Sequence, residues 1–66
     1  MGYIKTCNGF EKGQKVITTR KFESCAGYFE VGSIVTIIGI GPRGYDIQDD
    51  EGNKILECGF TGFKSY

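Results

Sequence analysis

Apolar and polar positions alternate through the middle of the chain. From Ser33 to Ile40, Val35 and Ile37 alternate with Ile34, Thr36 and Ile38, the period of two that a strand requires. Gly41-Pro42-Arg43-Gly44 interrupts this pattern. Tyr45 and Ile47 resume it up to Asp50, and the turn at Asp50-Glu51-Gly52-Asn53 leads into Ile55 and Leu56 within Lys54 to Cys58. Glycine and asparagine accept the positive φ of tight hairpins, so the spacing predicts a three-stranded β-meander. Both faces of its first strand carry apolar side chains. One face, with Val35 and Ile37, is expected in the core beside Ile47 and Ile55. The other presents Ile34, Ile38 and Ile40 as an outward row that needs a cover.

On either side of the meander the signals are shorter. Lys15-Val16-Ile17-Thr18-Thr19-Arg20 follows Gly13 and is rich in β-branched residues, which predicts a strand with Val16 and Thr18 facing inward. Between Lys21 and Gly32 the alternation lapses. Phe22, Cys25, Ala26-Gly27 and Tyr28-Phe29 suit a long folded-over loop with its own packed aromatics. Gly59-Phe60-Thr61-Gly62 is too short and glycine-rich for an α-helix, so a single 3₁₀ turn is expected there, with a closing strand at Phe63 to Tyr66. Residues 1–13 show no clean period; Tyr3, Ile4, Phe10 and Asn8-Gly9 fit either a short strand and turn or loose packing. The expectation is one all-β domain spanning residues 1–66.

Length bounds what such a domain can enclose. A chain of 66 residues buries roughly 60% of the surface that its unfolded form exposes. Eleven glycines accompany nine aromatics, a composition of turn-dense β structure rather than disorder. Eight basic and eight acidic residues cancel, which removes any whole-chain drive toward phosphate backbones or anionic membranes. The halves differ: residues 1–33 carry five cations and three acids, net +2, and residues 34–66 carry three cations and five acids, net −2. No apolar run reaches membrane-span length, Met1-Gly2-Tyr3 does not open a secretory signal, and Gly2 with Thr6 is a chance match to a myristoylation pattern. The chain reads as cytoplasmic.

The order of strand, long loop, meander, helical turn and short last strand resembles the Src-homology-3-like small barrels, including their KOW-type and bacterial versions. Phe29-Glu30-Val31-Gly32-Ser33-Ile34-Val35-Thr36-Ile37, Tyr45-Asp46-Ile47-Gln48-Asp49 and Gly52-Asn53 carry the resemblance, over about half of the chain. It implies an SH3-like barrel of about five strands and a binding module, with the ligand open. The proline-peptide groove of the eukaryotic members uses an Ala-Leu-Tyr-Asp-Tyr motif and a tryptophan; this chain has neither. In size and style the chain also resembles compact proteins of tailed bacteriophages, which implies an accessory protein that acts on a host enzyme.

Candidate chemistry is sparse. Gly39-Ile40-Gly41-Pro42-Arg43-Gly44 spells G-x-G-x-x-G, but a dinucleotide site needs a helix immediately after the glycines, and a strand follows instead. Asp46, Asp49, Asp50 and Glu51 crowd one hairpin; Asp46 and Asp50 share a face able to hold a cation or imitate phosphates, while turn formation accounts for the cluster without a ligand. Cys7, Cys25 and Cys58 match no zinc spacing and no histidine joins them, so neither metal nor cofactor is expected. Cys25 and Cys58 read as small buried hydrophobes. With no nucleophile–base pair and no histidine, catalysis is not expected either.

These readings converge on a non-enzymatic module that binds another protein, whether a host protein or a second copy of itself. The expected contact surface is Phe22, Tyr28, Phe29, Ile34, Ile38, Ile40 and the turn-tip Arg43, with Tyr28, Tyr45 and Tyr66 able to line a groove. The alternative is a KOW-like nucleic-acid binder using Lys12, Lys15, Arg20, Lys21 and Arg43 on phosphates and Tyr28 for base stacking.

Overall fold

A computed structural model describes residues 9–25 and 27–66. The chain is all-β, with strands β1 (Lys15–Thr18), β2 (Phe22–Ser24), β3 (Gly27–Phe29), β4 (Ile34–Gly41), β5 (Gly44–Gln48), β6 (Lys54–Ile55) and β7 (Phe63–Ser65). Five of them form one sheet in the order β6-β5-β4-β1-β7; β2 and β3 form a separate hairpin. All ladders are antiparallel. No helix long and apolar enough to cross a membrane occurs among the described residues. Tyr3 and Ile4, read as either a short strand or loose packing, lie outside the described residues, and so does Cys7.

The expected meander is present as β4, β5 and β6. Its inner face follows from alternation: Val16 pairs with Val35, Ile37 with Ile47, and Ile47 with Ile55. All five side chains are buried. Thr18 shares the inner face of β1 and is buried as expected. Its hydroxyl donates to the Glu30 carbonyl at 2.8 Å and accepts from the Ser33 amide at 2.9 Å, so the buried oxygen is satisfied and the end of β1 is tied to the turn entering β4.

Residues 21–32 form a hairpin rather than a loop. Phe22 pairs directly with Phe29, and both rings are buried in the core cluster. Two large aromatics on one face supply the burial that a three-residue strand pair needs, although neither strand is long enough to display an alternating period. The hairpin packs closely on β6: a Cβ on Gly27 would sit 3.0 Å from the Lys54 carbonyl oxygen.

Two further expectations change. Gly59-Phe60-Thr61-Gly62 is not a 3₁₀ turn, because Gly59 and Gly62 take φ of +93° and +98°, outside any right-handed helix. And β4 is irregular: its register with β5 shifts between Ile37 and Gly39, a bulge that reverses which face later residues occupy. Ile40 therefore pairs with the buried Tyr45, although Ile40 itself is 52% exposed near the end of β4, so Ile34, Ile38 and Ile40 are not one continuous row.

The sharpest constraint on the fold is a backbone contact. Gly44 is buried with φ of +140° and bridges Gly59 in parallel; a Cβ on Gly44 would fall on the Gly59 backbone. By contrast Gly52, at φ +91°, has nothing within 4 Å of its virtual Cβ. Gly52→Ala should thus cost only the conformational strain of a positive φ, roughly 1–2 kcal/mol. Gly44→Ala should cost clearly more, because backbone must also separate. Urea denaturation of the two variants checks the order, and equal losses would refute the close approach.

Candidate functional site

The residues expected to form one contact surface are dispersed. Phe22 and Phe29 belong to the core, and so does Tyr45, which leaves no tyrosine-lined groove. Tyr28 projects from the hairpin at 47% exposure, Ile34 lies on the sheet's outer face at 47%, and Ile38 sits half-buried at the bulge. Arg43 is exposed at the β4–β5 turn and forms a 3.7 Å ion pair with Glu57. The alternative basic set fares no better as a unit. Arg20 folds over the Phe22 ring with its guanidinium 4.0 Å from the centroid, and its N–H groups donate to the carbonyls of Lys21 and Cys58. Of the five, only Lys15 lies in a strand of the sheet.

What the topology does bring together is the outer face of the five-stranded sheet. Facing residues in an antiparallel ladder point to the same side, so register defines the rows. Lys54 pairs with Gln48, Gln48 with Thr36 and Thr36 with Lys15, forming one row across four strands. Ile34 pairs with Ile17 and Ile17 with Lys64, forming the next. The Tyr66 ring lies beside this surface, 6.0 Å from the Lys15 ammonium. An aliphatic pair thus stands among three lysines, and no carboxylate pairs with those lysines among the described residues. Alternation on β1 and β4 already displayed the pairs Lys15/Ile17 and Ile34/Thr36. Lys54, Gln48 and Lys64 join them only through strand pairing, which local periodicity does not encode.

The acidic residues near the hairpins are occupied by structure. Asp46 Oδ1 accepts the Glu57 amide at 2.9 Å, which steadies Glu57 in a left-handed conformation, φ +54°, that a non-glycine residue rarely adopts. Asp49 builds the β5–β6 turn. Its carboxylate accepts the Asn53 side-chain N–H at 3.1 Å and the amides of Asn53 and Glu51 at 2.9 and 3.0 Å. These bonds, led by the one from the Asn53 side chain, hold its pKa below the ordinary 3.8. No cluster of potential metal ligands forms among the described residues.

An open cleft of about 250 Å³ runs between the β2 arm and the segment after β6. Arg20, Glu23, Leu56, Glu57 and Cys58 are among its lining. The mixture of one cation, two acids and one leucine gives it no single chemical preference. Both described cysteines carry free thiols. Cys25 is exposed rather than buried, at the tip of the hairpin. Cys58 is half-buried and its thiol donates to the Tyr45 carbonyl at 3.1 Å; burial pushes its pKa up. Comparison with known protein families, curated proteins and solved structures finds no match for this chain.

Two measurements follow. The folded-state pKa of Asp49 lies below its unfolded value, so the stability from its carboxylate is present above 3.8 and is lost as pH falls through and below that value. The stability difference between wild type and Asp49→Asn should therefore be constant near neutrality and shrink on acidification; a difference independent of pH would refute the turn assignment. In a Cys7→Ser background, a disulfide reagent should modify Cys25 quickly and Cys58 only slowly, since thiolate character and access control the rate. Equal rates would contradict the burial of Cys58.

Proposed function

We propose that this chain is a non-enzymatic binding module for another protein, built on an SH3-like barrel, with the outer sheet face as its docking surface. The strand order β6-β5-β4-β1-β7, with a hairpin inserted between β1 and the meander, supports that architecture. The observation that carries the functional reading is the in-register pair Ile17 and Ile34 on the sheet's outer side, with Ile17 half-buried and Ile34 47% exposed. Exposed aliphatic side chains bordered by polar ones are the usual composition of an interaction site. A role as a phage accessory protein directed at a host enzyme fits the same reading. Nucleic-acid binding through Lys12, Lys15, Arg20, Lys21 and Arg43 is weakened by the engagement of Arg20 with Phe22 and of Arg43 with Glu57.

The test is capture of partners by the immobilised protein, with a nuclease-treated control. Ile34→Asp, on an exposed position, should leave the melting temperature nearly unchanged and weaken partner binding by about 2 kcal/mol or more, as a hot-spot loss does. Arg20→Glu with Lys21→Glu should leave the partner bound. A captured complex that dissolves on nuclease treatment, or one insensitive to Ile34→Asp, would refute the proposal.

A further inference from the structure

We infer that the partner offers this face an extended, acidic and aliphatic segment, with carboxylates about three to five residues apart around a branched apolar side chain. The inference rests on the outer face being the docking surface and adds the chemistry of the occupant. Lys54, Lys15 and Lys64 surround Ile17 and Ile34, with Gln48 and Thr36 in the same rows; Asp46, on the same side of β5, is taken up by the Glu57 amide. All three lysines are exposed and without carboxylate partners among the described residues. The chain holds as many acids as bases, so the lack of ion pairs to these lysines among the described residues is a matter of placement rather than supply. Their charge is free to meet carboxylates of a partner.

Geometry sets the spacing. Lys54 and Lys15 stand three strand intervals apart in one row, about 14 Å at the usual interstrand distance. That separation exceeds the Debye length of about 8 Å at physiological ionic strength. Lys54 therefore acts as a local contact separate from Lys15, whereas Lys64 is a diagonal neighbour of Lys15 across β1 and β7. An extended segment rising about 3.3 Å per residue spans 14 Å in about four residues, and lysine flexibility widens this to three to five. The aliphatic centre fixes what lies between the acids.

Three other occupants fit less well. A second copy of this face would set lysines against lysines in a two-fold contact. Residues 1–8 of the chain itself carry Lys5 and no carboxylate. Single-stranded nucleic acid needs flat rings for base stacking, whereas the centre of this face is isoleucine and its one tyrosine, Tyr66, stands at the margin.

The experiment is selection of a random 12-residue peptide library on the intact protein, followed by affinity measurement on three proteins: wild type, Ile34→Asp, and the triple variant Lys15→Gln, Lys54→Gln, Lys64→Gln. The expected peptides carry Asp or Glu at the stated spacing around Leu, Ile or Val. Their affinity should fall at least tenfold in each variant, with amide shifts in a heteronuclear spectrum confined to the outer face. Peptides that need Ile34 but tolerate the triple variant would overturn the acidic chemistry and leave the face standing. No enrichment, or peptides indifferent to Ile34→Asp, would overturn the face and the inference together. Two further arms use a 12-nucleotide oligo(dT) and gel filtration. Oligonucleotide binding that falls steeply with salt and is lost in the triple variant, or self-association abolished by Ile34→Asp, would replace the peptide by the corresponding occupant.

Discussion

The approach of Gly44 to Gly59 is the constraint on which the rest of the structure depends. Gly44 must lack a side chain for these backbones to meet, since a Cβ there would fall on the Gly59 backbone, while Gly59 itself takes a φ of +93° that favours glycine, and the approach positions Tyr45 next to them. The Tyr45 amide donates to the Gly59 carbonyl at 3.1 Å, and its carbonyl accepts the Cys58 amide at 3.0 Å. Its hydroxyl accepts the Phe10 amide at 3.1 Å. The ring then meets Phe10, Phe60 and Phe63 edge to face at centroid distances of 6.1, 5.2 and 5.7 Å, and Phe63 stacks on Phe22 at 5.0 Å. One backbone contact thus organises an aromatic chain from the segment before β1, through β5 and β7, to the hairpin. In so small a domain such rings supply burial that a short list of aliphatic residues cannot.

The inner face was legible because it needs nothing beyond alternation. Val16, Thr18, Val35, Ile37, Ile47 and Ile55 are each assigned by a period of two, and all are buried. The hairpin at Phe22–Phe29 was not legible: its strands are three residues each, shorter than the window in which alternation can be told from coincidence. The bulge after Ile37 was not legible either, since a single residue that shifts register leaves the apolar pattern of Ile-Val-Thr-Ile-Ile unaltered. Its consequence is large, because every later position on β4 changes face. Gly59 and Gly62 read as turn residues correctly, but the sign of their φ, which separates a left-handed corner from a 3₁₀ turn, is set by the contacts they serve. A Cβ on Gly62 would stand 2.8 Å from Arg20 Nε and 2.9 Å from Phe22 Cζ.

Charge shows the same division between what is local and what is assembled. Summed along the chain, the first half is basic and the second acidic. Folding discards that division. Lys15 comes from the basic half and Lys54 and Lys64 from the acidic one, yet register gathers them on one face. Three acids of the hairpins are spent elsewhere: Asp49 on the turn amides, Asp46 on the Glu57 amide, and Glu57 on Arg43. The basic residues expected to act together are likewise separated, with Arg20 stacked on Phe22.

A domain of this size cannot cover both sides of its sheet, so an exposed face by itself is unremarkable, and lysine, threonine and glutamine on it are what solvent alone would favour. The isoleucines separate the two readings. Solvation gives no reason for Ile17 and Ile34 to be placed opposite one another, with Ile34 half in water, when threonine would serve a strand equally well there, as Thr36 does one pair further along. An aliphatic pair ringed by lysines is complementary to a surface that is apolar at its centre and acidic at its edges. That complementarity is why the face, rather than the mixed cleft beside Arg20, carries the functional proposal.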